Sequence, residues 1–254
     1  MRTALVGGGA GGIGSAVAAA LLASGHRVVL VGRHTATLAE AASRIGPLGR
    51  VEHVVADLAD PASSARAVEM VEGRHGAVDV AVVNAGGPVP GDVLSVTDEQ
   101  WQASFELLLL GPMALVRRAL PGMAERGFGR VVFVTSTAVR QPQPELATST
   151  VLRSAVTAAA KLLSRAHADA GVTVNCVAPG ATLTPRRQQI LRSRAEAAGI
   201  DMVSAEAEDN AAIPAGRGAD PAEVAAAVAF LASEAAGYVN GTVLTVDGGR
   251  TETI

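Results

Sequence analysis

The residues best suited to chemistry open the chain: Gly7-Gly8-Gly9-Ala10-Gly11-Gly12-Ile13-Gly14 follows the apolar run Thr3 to Val6 and precedes an alanine-rich stretch of helical period. Glycines in such a turn admit positive φ and bring backbone N–H groups close to an anion, and the positive end of a helix starting there adds to the attraction. Strand, glycine turn and helix in that order cradle the pyrophosphate of a dinucleotide; elsewhere the same small residues serve only to pack helix on strand. A second signal ends the next apolar run, Val28-Val29-Leu30-Val31-Gly32-Arg33. The position that carries an acid in NAD-binding turns is Gly32, and the planar guanidinium of Arg33 can meet a 2′-phosphate, which points to NADP ahead of NAD.

Other chemistries find few residues to use. The single cysteine, Cys176, lies in the apolar run VTVNCVAP, as a buried inert thiol would, and no intrachain disulfide is possible. His26, His34, His53, His75 and His167 lack metal-ligand spacing, so no metal site is expected. Net charge is −3 and the basic residues are single or paired, as in Arg117-Arg118 and Arg186-Arg187, giving no stripe for a nucleic acid backbone. Tyr238 is the only tyrosine and Lys161 the only lysine. No apolar run reaches the roughly 18 residues of a membrane span, and the first residues lack the sections of a secretory signal, so a cytoplasmic protein is expected.

These residues need a scaffold, and the 254-residue chain supplies one rhythm throughout. Strands are expected at 3–6, 27–31, 51–55, 78–83, 130–135, 173–177 and 242–246, and helices at 14–23, 37–45, 61–73, 98–122, 148–168 and 221–232. This alternation predicts a single Rossmann-type α/β domain over residues 1–254, a doubly wound sheet of seven mostly parallel strands with helices on both faces. Asp220 before Pro221 marks a helix start. Thr182 to Gly218 falls outside the rhythm and reads as a substrate lid or a mobile surface segment. Its arginines (Arg186, Arg187, Arg192, Arg194) and acids (Glu196, Glu206, Glu208, Asp209) read first as a solvated helical face and second as a dedicated anion site.

The spacing Gly8-x-x-x-Gly12-Ile13-Gly14 resembles the cofactor motif of the short-chain dehydrogenase/reductase family, and further segments agree in order along the whole chain. Asp57-Leu58 resembles the pair that holds the adenine ring, and Asn84-Ala85-Gly86 the family's NAG turn. Trp101, Pro179-Gly180 with nearby Thr182, and Val246-Asp247-Gly248-Gly249 stand where members carry theirs. The resemblance implies a nicotinamide cofactor over the carboxyl ends of the strands, a small-molecule substrate, and a homo-oligomer, tetramer or dimer, packed through helices around Trp101 and Thr148.

The family's Asn, Ser, Tyr, Lys tetrad is not retained. Counting from Ser136 and from Asn175, the tyrosine position is Ser149 and the lysine position Arg153; the asparagine position is Leu108, and only Ser136 keeps its usual identity. Glu106 to Pro112, Gln141 to Ser149 and the Ser149/Arg153 pair resemble a divergent bacterial subgroup with SxxxR in place of YxxxK. The family mechanism passes a proton from a phenol acidified by the lysine. Serine is too weak an acid for that role, and Arg153 supplies charge but no proton. Three readings stay open: an NADP-dependent oxidoreductase acting on a carbonyl or conjugated enone through Ser136, Ser149 and Arg153, a non-redox isomerase, dehydratase or cyclase on the same fold, and a catalytically silent cofactor-binding protein.

Overall fold

A computed structural model describes residues 1–253. Its elements run β1 (Thr3–Gly7), α1 (Gly12–Ala23), β2 (Arg27–Gly32), α2 (Thr35–Ile45), β3 (Val51–Val55), α3 (Pro61–His75), β4 (Val80–Val83), α4 (Asp98–Phe105), α5 (Gly111–Glu125), β5 (Gly129–Val134), α6 (Ala147–Ala166), β6 (Val172–Pro179), α7 (Pro185–Ala198), α8 (Met202–Ala211), α9 (Pro221–Ala232) and β7 (Val243–Val246). The strands form one sheet in the order β3-β2-β1-β4-β5-β6-β7, and every pairing is parallel. Strand order reverses between β1 and β4, and the crevice above such a switch point is where open α/β sheets bind ligands.

Strands covered by helices on both faces must be apolar on both, and β1, β4, β5 and β6 are buried at every position. One layer of core joins Leu5, Val29, Val131 and Phe133 to α3, α5 and α6; the other joins Val6, Leu30, Val82 and Val132 to α1, α2 and α9. Burial of each such Val, Leu or Phe contributes about 1.5–3 kcal/mol. The expected caps form: Asp220 accepts from the Ala222 N–H while Glu223 reaches back to the Asp220 N–H.

Two regions differ from expectation. The helix expected over 98–122 is one rod from α4 to α5, but Glu106–Leu110 between them is a π turn in which the Gly111 N–H donates to the carbonyl of Glu106. Pro112 has no N–H with which to close a regular bond to Leu108, so the ladder widens by one residue there. By length and composition the rod could cross a bilayer; here Leu115, Val116, Ala119, Leu120 and Met123 are buried against the sheet and its neighbours. The second region is Thr182 to Gly218, which holds two helices, α7 and α8. Thr184 accepts from the Arg187 N–H with Pro185 at the first helical position, and Asp201 accepts from Ser204. The segment leaves and rejoins the fold through one pair of backbone bonds, Leu183 N–H to Ala219 and Ala219 N–H to Ala181.

Candidate active site

At the carboxyl ends of the strands lies a cavity of about 430 Å³. The glycine turn forms one side. Gly8 and Gly12 adopt φ of 59° and 53°, and a Cβ on Gly14 would stand 2.1 Å from the Gly8 carbonyl oxygen, so the turn closes only around glycine there. α1 starts without a side-chain cap and without an acid in its first turn. Its leading N–H groups are therefore left for a ligand, and Gly11 has open space around it. This is the fit a pyrophosphate requires. Asn84 braces the turn from β4, its Nδ2 donating to the Gly7 carbonyl at 3.1 Å.

Gly8, Gly12, Ile13, Asn84, Ala85, Gly86, Ser136, Ser149, Arg153, Pro179, Gly180 and Thr182 all line this cavity. Arg33, Asp57 and Leu58 do not. Arg33 is exposed at the end of β2. Asp57 accepts from the Ala59 N–H at 3.0 Å, and Leu58 is buried under Gly7.

β5 and α6 position the polar donors. Ser136 follows β5, and its Oγ accepts from the Ala138 N–H at 3.2 Å. Arg153, one turn beyond Ser149 on α6, donates Nη1 to the Val134 carbonyl at 2.6 Å and Nε to Ser149 Oγ at 3.2 Å. Each serine oxygen accepts a bond from the protein, which leaves its O–H to donate into the cavity. Behind Arg153 stand Val83, Leu108, Phe133 and Val156, and Leu108, expected at the asparagine position, is buried. Burial, and then the charge of Arg186, lower the Arg153 guanidinium to about 10, so it remains a cation at neutral pH. Two serine hydroxyls and a fixed guanidinium make a donor set suited to charge developing on an oxygen.

Tyr238 is fully exposed and Lys161 donates to the Gly241 carbonyl, so neither enters the cavity. Cys176 is buried, and burial pushes its thiol up to about 12. No cluster of potential metal ligands occurs among the described residues.

Sequence reading missed the cavity's other wall. Arg187, Arg194, Asp209 and Arg250 are not a solvated face; they form a charged cluster along the cavity. Asp209 accepts at Oδ2 from Arg187 and at Oδ1 from Arg194 (2.9 Å) and Arg250 (2.8 Å). Glu206 adds to Arg187 and Glu145 to Arg194. The C-terminal turn delivers Arg250: Asp247 accepts from the N–H groups of Gly249 and Thr251, folding the chain back after β7. Thr184-Pro185, a cap followed by a proline, was the available signal for α7; nothing local pairs Asp209 with two arginines of α7 and a third beyond β7.

Comparison with known proteins agrees with this geometry. Residues 8–251 match the family model described as enoyl-(acyl carrier protein) reductase. Oxidoreductase UcpA of Escherichia coli K12 is 32% identical over 252 residues, covering 98% of this chain and 94% of its own. An actinorhodin polyketide ketoreductase variant solved with NADPH is 30% identical, with a TM-score of 0.96 over 99% of this chain and 98% of its own. L-Sorbose reductase from Gluconobacter frateurii, solved with NADPH and L-sorbose, is 32% identical, with a TM-score of 0.93 over 100% and 97%. Sequence and structure agree from end to end: the chain belongs to the short-chain dehydrogenase/reductase family.

Proposed function

We propose that this protein is an NADP-dependent oxidoreductase acting on the carbonyl or conjugated enone of a small molecule, with a non-standard active site. The observation that carries this reading is the single cavity shared by an uncapped, glycine-cradled helix start and the Ser136, Ser149, Arg153 donor set. Arg33, exposed beside Gly32 where an acid would favour NAD, supports NADP, as do the relatives solved with NADPH. Gly8, Gly12, Ile13, Gly14, Asn84, Ala85, Gly86, Pro179, Gly180 and Thr182 would hold the dinucleotide, with Arg33, Asp57 and Leu58 at its adenosine end.

When bound, the cofactor supplies the hydride. Ser136, Ser149 and Arg153 receive the substrate oxygen and stabilise the negative charge that hydride addition places on it. Arg153, as a strong cation, gives up no proton; water or the substrate itself supplies the proton that completes the alcohol or saturated ketone. α7 and α8 act as the lid, with Ile190 and Leu191 on the wall of the same cavity. We place the enzyme in the cytoplasm as a homo-oligomer, tetramer or dimer, which would cover the exposed Val151 and Leu162 of α6. Neither nucleic acid nor membrane has a part in this reading.

Calorimetric titration with NADPH, and with NADH beside it, tests the cofactor; loss of NADPH absorbance over a panel of enones and activated ketones tests the reaction. Among the described residues the cavity has no histidine, tyrosine or lysine wall, which also suits oxyanion stabilisation without redox change. Product formation with the cofactor unaltered after many turnovers would replace reduction with isomerisation, dehydration or cyclisation.

A further inference from the structure

Five arginines line the cavity, and they divide into two groups. Arg187, Arg194 and Arg250 share Asp209, with Glu206 and Glu145 completing their neutralisation. Arg153 and Arg186 have no carboxylate partner among the described residues. Arg153 bonds a backbone carbonyl and a serine, and Arg186 bonds only Gln189, at 2.8 Å. Both oxygens of Asp209 are already committed to the other three.

Arg186 is not a loose surface chain. It is half-buried and lies across Gly87, where a Cβ would come within 2.4 Å of its Nε, so the backbone there leaves a groove that a guanidinium fills. Burial holds it below its ordinary value, and its charge bears on Arg153 in turn. Two uncompensated cations facing one partly desolvated cavity repel each other, and an arriving anion relieves both terms. The planar guanidinium fork matches a carboxylate. Around the pair, Leu146, Ile190 and Leu191 supply apolar wall for the rest of such a molecule.

We infer that the molecule transformed in this cavity is a carboxylate with an apolar body, its carboxylate received between Arg153 and Arg186. This rests on the reading of the cavity as the reaction site and adds to it the class of substrate.

Titration of benzoylformate and 4-methyl-2-oxopentanoate into the NADP⁺-loaded protein tests it, beside their methyl esters and inorganic phosphate. The carboxylates are expected to bind at least about tenfold more tightly than the esters, and Arg186→Gln to weaken them about 10–100-fold. NADP⁺ affinity should stay within about threefold of the parent, and Arg186→Lys should fall between parent and glutamine, because it keeps charge and loses the fork. Equal binding of acid and ester would overturn the inference, as would phosphate outcompeting the carboxylates. So would an Arg186→Gln loss shared equally by NADP⁺, which would assign that arginine to the cofactor phosphates. The same titration without cofactor separates the two readings: Arg186-dependent carboxylate binding with no NADP⁺ binding would keep this inference and remove the reductase, and NADP⁺ binding with no carboxylate binding would do the reverse.

Discussion

Arg187 holds Asp209 through two nitrogens on one oxygen, Nε at 3.1 Å and Nη2 at 3.0 Å from Oδ2, with the side chains only 7% and 4% exposed. The pair binds α7 to α8, and Arg250 binds both to the C-terminal turn through the other oxygen. Asp209→Asn leaves buried Arg187 and half-buried Arg194 and Arg250 around a neutral amide. Removing one partner from a buried ion pair costs about 3–5 kcal/mol. Hydrogen exchange across 185–211 should accelerate before any global melting, and unchanged protection there would show that the cluster does not hold α7 and α8 in place.

The same carboxyl sets an acid limit. Burial pushes its pKa up, but the hydrogen bond and charge of Arg250, then Arg187 and Arg194, outweigh burial and hold it below its ordinary 3.8. A depressed carboxyl contributes stability above its unfolded pKa and loses it as pH falls through the folded one. The α7–α8 tether should therefore persist at pH 4 and fail on further acidification, as read by loss of hydrogen-exchange protection across 185–211.

Arg153 should write itself into the alkaline limb of the rate profile. Lowered to about 10 by burial and by Arg186, it is a cation throughout the neutral range. Turnover of an identified substrate should fall as pH rises through that value, and Arg153→Met should lower kcat by about 10²–10³. A limb near neutrality that survives this substitution would point to a different group.

Restoring the family pair should restore the family's chemistry. In Ser149→Tyr/Arg153→Lys a phenol and an ammonium stand at the positions now filled by serine and arginine. Parent activity on simple ketones should be poor, and the double variant should raise it at least about tenfold, in the range of general acid catalysis. No gain, with fold and cofactor binding intact, would mean that Leu108 and the π turn hold those positions in unproductive geometry.

Two glycines give opposite results on substitution. Gly14→Ala forces a methyl to 2.1 Å from the Gly8 carbonyl and should cost about 1–3 kcal/mol as well as NADPH affinity. Gly11 is extended, with open space around it, so Gly11→Ala should leave Tm within the scatter of surface substitutions while obstructing the phosphate approach. Calorimetry with thermal melts distinguishes them.

Arg33→Ala should weaken NADPH about 10–100-fold and leave NADH nearly unchanged, since only the former carries the phosphate this charge would meet. Equal effects on both would remove Arg33 from the cofactor site.

Much of the scaffold was legible because its determinants are local. A fully buried parallel strand is apolar almost throughout, and Val80–Val83 and, Arg130 apart, Gly129–Val134 announce themselves in that way. The glycine turn is read as readily, since only glycine can stand at Gly8 and Gly14. α7 and α8 were harder, because two of their five buried residues, Arg187 and Asp209, are charged and pair across the segment. Composition therefore suggested solvent where the structure has a salt cluster. Arg250 was invisible as a wall residue because only the Asp247 turn brings it back. The π turn had one sign, Pro112, which proline's tolerance near helix starts concealed.

That π turn also divides one rod into two phases. An α-helix advances about 100° per residue, so one extra residue between Phe105 and Gly111 rotates everything beyond it by that angle. α4 and the π turn meet α6, while α5 meets α3. Deleting a single residue from Glu106–Leu110 would heal the backbone ladder and, by the same stroke, turn the buried side of α5 away from the sheet. The irregularity works as a phase shifter, and a locally more regular helix would be globally out of step.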